Sequence, residues 1–228
     1  MFMRDLARAK WNQNQKLLRL ALFKGTDLPR TIHLFMEQHA LVHASDVSGV
    51  DFSTFEDELW NGLPCKVAVH IPGKDLHSIA WCIWHMTRCE DITMNMLVAG
   101  STQVLELGSW LGRLGILQRD TGNAMALDEM LDFNSNLNIR ELKAYRSAVG
   151  RQTREIVNVL HREDIQRKTD PQALKKILDV RAVLPSENWL LDYWGGLTVA
   201  GLLLMPPTRH AFVHLNEAIK IKNKVFQD

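Results

Sequence analysis

Cysteine is scarce in this chain. Three are present, Cys65, Cys82 and Cys89, and no two form a CxxC pair. That excludes a disulfide framework and points to a reducing, cytoplasmic setting. An excess of one charge is also missing: 27 Lys and Arg stand against 26 Asp and Glu, for a formal net charge of +1. Nucleic-acid binding driven by bulk charge, which needs a basic excess or stripe, is therefore not expected. The longest apolar run, Leu197 to Met205, is far too short to cross a bilayer and reads as a buried helix, so no membrane partner is expected. The first residues, Met1 to Leu6, carry early charge and no long apolar region, so no signal peptide is expected. Internal repeats and low-complexity tracts are lacking too. What remains is a chain of 228 residues, 46% hydrophobic. It is enough for one large domain, or one domain with a small appendage, around a sizeable core.

Helical periodicity dominates. Residues 4–23 form a loosely amphipathic helix on Leu6, Trp11, Leu17, Leu18, Leu20 and Leu22. Gly25 ends it. Thr26 or Asp27 caps a second helix with Pro29 in its first turn, running to about His43. His33, His39 and His43 fall here and are expected to be exposed or partly packed, without sharing a single face. Residues 44–75 are punctuated by Gly and Pro, with Cys65 to Ile71 as one short extended segment. Asp75 is expected to cap a long helix from about Leu76 to Ala99, closed by Gly100. Residues 101–137 form a long connection whose Trp110, Leu111, Leu114 and Ile116 suggest local packing. Asn136 or Asn138 opens a helix through about Leu160, striped by Leu142, Tyr145, Val149, Thr153 and Ile156. A short helix covers Pro171 to Asp179. An apolar helical segment spans 188–204, Pro206-Pro207 interrupts it, and a last helix runs from Pro207 to about Lys224. The whole reads as a helical bundle.

His210 and His214 stand four residues apart, which places both imidazoles on one helical face. A metal ion could take both, with His85 of the 76–99 helix as the third ligand. Three imidazoles would leave a coordination position open for water or a thiolate. The spacing also occurs by chance, and two histidines satisfied by hydrogen bonds between helices are the bland alternative. The glutamate of HExxH is absent, which removes a zinc protease. Around these three, Trp81 and Cys89 share the His85 face, and His77 lies two turns before it, about 12 Å by helix rise. His77 could line the pocket or replace His85. Glu217 is one turn beyond His214 and could orient an imidazole from outside. Trp84 could wall the pocket with Trp81, and Arg88 and Arg209 could meet an anionic substrate. Helix-surface charge is the default for both arginines.

Leu76-His77-Ser78-Ile79-Ala80-Trp81-Cys82-Ile83-Trp84-His85-Met86-Thr87-Arg88-Cys89-Glu90-Asp91 and Arg209-His210-Ala211-Phe212-Val213-His214-Leu215-Asn216-Glu217-Ala218 together resemble the DinB-like family. Phe55 to Trp60 and Leu142 to Val149 resemble its flanking segments. The superfamily includes thiol-dependent S-transferases and mycothiol-dependent maleylpyruvate isomerases. The resemblance implies an all-α four-helix bundle connected up-down-down-up. Here it would carry an extra N-terminal helix and a long connection between the second and third helices. Residues 1–26 would be the helical extension and 27–228 the bundle domain. It also implies a three-histidine divalent metal site at His85, His210 and His214, with zinc or nickel as the expected ion, and a homodimer.

Two functions compete on these grounds. One is a metal-dependent transferase or isomerase working with a low-molecular-weight thiol. The other is a non-enzymatic metal-binding, stress-response or interaction protein on the same bundle, with the apolar surface of the first helix serving a partner or a second copy. A purely structural domain, in which the histidines never meet, is the third possibility.

Overall fold

The structure, a computed structural model, describes residues 2–73 and 77–226. Among these the chain is all-α; the only extended pairing is an isolated antiparallel bridge between Lys168 and Thr198. The principal helices are α1 (Phe2–Lys24), α2 (Leu28–Val42), α3 (Phe55–Trp60), α4 (Ile79–Asp91), α5 (Leu127–Asn136), α6 (Ile139–Asn158), α7 (Pro171–Asp179), α8 (Asn188–Gly195), α9 (Val199–Leu204) and α10 (Ala211–Val225). Side-chain caps explain several starts. Asp27 accepts from the Arg30 amide, Asn138 from those of Arg140 and Glu141, and Thr54 and Asp57 form a reciprocal capping box on α3. The expected cap Asp75 lies outside the described residues. Ser78 caps α4 instead, accepting from the Trp81 amide at 3.0 Å.

Helix α4 is the centre of the bundle. All 13 of its residues are buried, with α6 and α10 packed along it. It continues as a π-helical stretch, Ile92–Ala99, which Gly100 closes with φ of 65°, a left-handed conformation that suits glycine. Two apolar clusters fill the interior. One surrounds Trp84, Tyr145, Phe212 and Leu215, the other Ile92, Trp194, Leu202 and Leu203. Around Cys89, where α4 passes from one cluster to the other, Thr87, Arg88, Glu90 and Asp91 form a buried polar layer.

Three sequence expectations are corrected. Cys65 to Ile71 is not extended: Cys65–Ala68 is one helical turn after Pro64. The apolar segment 188–204 is two helices, parted at 196–198, where the Thr169 hydroxyl bonds the carbonyls of Trp194 and Leu197. Pro206-Pro207 does not separate the apolar segment from the last helix. The chain passes from α9 through a π-helical turn, Met205–His210, straight into α10. Proline removes a backbone donor and ordinarily breaks a helix. Here side chains serve the acceptors at this turn: the Leu204 carbonyl receives the Thr208 hydroxyl at 2.8 Å and the Gln15 amide at 3.0 Å. Gln15 is itself held by Gln38 of α2 at 2.8 Å. Trp11 of α1 stacks on Phe212 of α10, centroids 3.8 Å apart. Helix α1 thus braces the turn that presents His210 and His214.

Candidate metal centre

His85 lies midway along α4, His210 ends the π-helical turn, and His214 sits in the first turn of α10. The close packing of α4 against α10 brings the three rings together. Their centroids are 4.9 Å (His85 to His210), 4.7 Å (His85 to His214) and 4.6 Å (His210 to His214) apart, each pair near edge-on. His85 Nε2 lies 3.0 Å from His210 Nε2.

The outer nitrogens say which lone pairs are free. His85 Nδ1 is 2.8 Å from the Thr121 carbonyl oxygen. A carbonyl only accepts, so Nδ1 carries the proton and Nε2 presents its lone pair to the cluster. His214 Nδ1 is 3.0 Å from Glu217 Oε2. Hydrogen bonds from His214 and His77 hold Glu217 down at about 2, so it is an ionised acceptor. A neutral His214 that donates Nδ1–H to it leaves Nε2 bare as well. This is the outer-partner arrangement found on metal-ligating histidines. His210 Nδ1 is buried without a partner. Burial, followed by His214, pushes His85 down to about 3; burial, then His85 and His214, holds His210 well below the usual range. Both rings stay unprotonated at neutral pH, as ligation requires.

The long 101–137 connection has a role here that its composition does not reveal. Four successive carbonyls of its 119–122 stretch each accept from a side chain of α4: Arg119 from Arg88 (2.9 Å), Asp120 from Trp84 (3.1 Å), Thr121 from His85 and Gly122 from Trp81 (3.0 Å). Gly122 has φ of 77°, and a Cβ there would stand 3.0 Å from the Trp81 indole nitrogen. The strap therefore fixes the His85 tautomer and the Trp81 ring together. Trp81 stacks on His85 at 4.7 Å on one side and on His77 at 3.6 Å on the other.

A pocket of roughly 130 Å³ opens onto this cluster. His85, His210, Cys89 and Asn123 line one part of it, and Trp189, Tyr193, Trp194 and Met205 are among the apolar residues lining the rest. Cys89 offers its sulfur within 4.8 Å of donor nitrogens of His85 and His210, and burial raises its thiol to about 12. Cys82 groups in the same way with His214 and Glu217. His77 approaches Glu217 at 3.8 Å, on the outer side of His214. Trp84 points away, toward Phe133 and Tyr145. Neither arginine lines the pocket. Arg88 is fully buried and consumed by Asp91, Tyr145, Gln103 and the Arg119 carbonyl. Arg209 bonds Asn12 of α1 and lies over Trp11 and Phe212.

A second cluster corrects the expectation that the α2 histidines are exposed or partly packed. His39 and His43 are 0% exposed, stacked at 4.2 Å. His39 Nε2 lies 2.9 Å from Glu90 Oε1 and His43 Nε2 3.0 Å from Oε2. Glu90 falls off the His85 face of α4 and faces α2. Arg146 sits 3.6 Å from Glu90 and pairs with Glu56 at 2.8 Å. His43 fits only because residue 150 is glycine: a Cβ there would stand 2.5 Å from its Nδ1. Burial, then Arg146, lowers His43 to about 3, and burial lowers His39. Burial alone would raise Glu90; the electrostatic interaction with His43, followed by hydrogen bonds from both rings, outweighs it and holds the carboxylate well below its usual range. The sequence signal was the second H-x3-H spacing, in α2, and an acidic pair inside an otherwise apolar helix.

The family model of the DinB superfamily matches residues 57–190, more than half of the chain and including His85 but not His210 or His214. No curated protein matches the chain.

Proposed function

Because the chain belongs to the DinB superfamily, we propose that it binds one divalent metal ion through His85, His210 and His214. We propose further that it acts there on a small ligand seated in the adjoining pocket. The observation that carries this reading is the pair of outer hydrogen bonds, His85 to the Thr121 carbonyl and His214 to Glu217, which leave two lone pairs aimed into one cluster. Three imidazoles suit zinc or nickel. Such an ion, when bound, supplies Lewis acidity and lowers the pKa of a ligated water or thiol. The chain's part is to hold the rings, by the strap at 119–122 and by the Trp81 stack, and to line the pocket with the aromatic side chains of Trp189, Tyr193 and Trp194.

The finer reading is a transferase or isomerase using a low-molecular-weight thiol. The pocket bears on it: no Asp, Glu, Lys or Arg lines it among the described residues. Its volume compares with that of an apolar cavity of about 150 Å³ that holds a benzene ring. A thiol would place its sulfur and a short apolar portion inside and leave carboxylates outside. The same small volume favours the second reading, a metal-binding protein without catalysis. Metal analysis tests the first claim. One zinc or nickel per chain is expected in the wild type, and none in His85→Ala or His214→Ala. Equal metal content in all three would overturn it. A turnover screen with small thiols then separates the enzyme from the binding protein.

A further inference from the structure

The donor atoms on the floor of the pocket do not end with imidazoles. Cys89 stands one turn after His85 on the same face of α4. It is 3% exposed and lines the pocket together with His85 and His210. Its sulfur lies within 4.8 Å of donor nitrogens of both, and those two rings approach to 3.0 Å. In a tetrahedral zinc site with ordinary bond lengths, sulfur and nitrogen ligands stand about 3.6 Å apart. The gap to close from Cys89 to either ring is therefore at most about 1.2 Å, within the reach of side-chain rotation. Cys82, the other buried cysteine, is differently placed. It sits with His214 and Glu217, on the side where His214 Nδ1 is already committed to the carboxylate.

Resting on the three-histidine reading above, we infer that Cys89 is a fourth ligand of this centre, occupying the position that would otherwise stand open to the pocket. On binding, the Cys89 S–H proton passes to solvent as the sulfur–metal bond forms, so no oxidant or reductant is needed. Three nitrogens and one thiolate make a closed tetrahedral set of the structural kind. A ligand entering between Trp189 and Trp194 must then displace Cys89 or expand the coordination. The protein's own thiol guards the ion, and the ligand class that competes best is another soft sulfur donor.

Cobalt(II) loading decides this. The Cys65→Ser/Cys82→Ser double variant leaves Cys89 as the sole cysteine of the chain. Loaded with cobalt(II), it is expected to show visible ligand-field bands and a near-ultraviolet thiolate-to-cobalt charge-transfer band of wild-type intensity. Cys89→Ser is expected to keep the ligand-field bands and lose the charge-transfer band. Ligand-field bands without charge transfer in the double variant would overturn the Cys89 inference while leaving the histidine site standing. Absence of cobalt binding in the wild type would remove both.

Discussion

His39 and His43 on α2 have the same one-turn spacing as His210 and His214, and each pair meets a side chain of α4: Glu90 in the first case, His85 in the second. Both clusters gather three side chains closely, with ring centroids 4.6–4.9 Å apart in the His85 cluster and both α2 imidazoles within 3.0 Å of Glu90 in the other, so closeness of the groups does not separate them. The outer nitrogens do. In the His85 cluster two of three rings give Nδ1–H to an acceptor, and Nε2 faces inward. In the Glu90 cluster the Nε2 atoms already donate to a carboxylate, and both Nδ1 atoms are buried without partners. Turning those rings into metal ligands would place a proton on two orphaned Nδ1 atoms, against one, that of His210, in the His85 cluster; each is a buried donor with nothing to bond. An unsatisfied buried donor costs about 1–3 kcal/mol. The Glu90 cluster, closed by Arg146 and Glu56 and set in the polar layer, is a structural network. The His85 cluster opens onto a pocket.

Four expected outcomes press on that contrast. The largest is Arg146→Ala, which leaves Glu56 and Glu90 buried without their cation; breaking a buried pair costs about 3–5 kcal/mol. Urea unfolding is expected to show that loss, with metal content of the folded protein unchanged. A loss below about 1 kcal/mol would mean the network holds little. Next is zinc itself: at a hundredfold excess over its dissociation constant it stabilises by about 2.7 kcal/mol. A rise in Tm is expected in the wild type and in His39→Gln, and none in His85→Ala or His214→Ala. A rise abolished by His39→Gln would reverse the assignment.

The third outcome is a pH dependence of the metal-free protein. Unfolded His43 takes up a proton near 6.5, whereas the folded ring resists it down to about 3. Stability is therefore complete above pH 6.5 and falls as pH drops through that window, by about 1.4 kcal/mol per unit for each such histidine. Unfolding free energies from urea titration at pH 7 and pH 5 are expected to differ by about 2 kcal/mol on account of His43, and His43→Asn should flatten the slope. The smallest is Glu217→Gln, which keeps a hydrogen-bond acceptor but removes the charge behind His214. Loss of an outer partner weakens metal binding by about 10–100-fold, and calorimetric titration with zinc is expected to find a drop toward the lower end, with unfolding in the metal-free state unchanged.

Much of this molecule was readable in advance. The stripe Leu142, Tyr145, Val149, Thr153, Ile156 is buried along α6, and the caps Asp27 and Asn138 sit where their side chains satisfy first-turn amides. Helical spacing put His210 and His214 on one face, His85 was already the candidate third partner, and the resemblance implied the same three. What escaped had physical reasons. Periodicity assigns a face but not what lies opposite, so His39, His43 and Glu90 each looked ordinary until α2 and α4 were packed. Backbone carbonyls carry no sequence signature, so the strap at 119–122 was invisible. Pro206-Pro207 breaks a helix unless side chains serve the acceptors around it, and Gln15 is nearly two hundred residues away. Arg88 looked like surface charge because three of its four partners come from separate stretches of chain.

The most direct test is a crystal of the protein grown with zinc and measured at the zinc absorption edge. A single anomalous peak among His85, His210 and His214 is the predicted result. A peak among His39, His43 and Glu90, or none at either cluster, would contradict it.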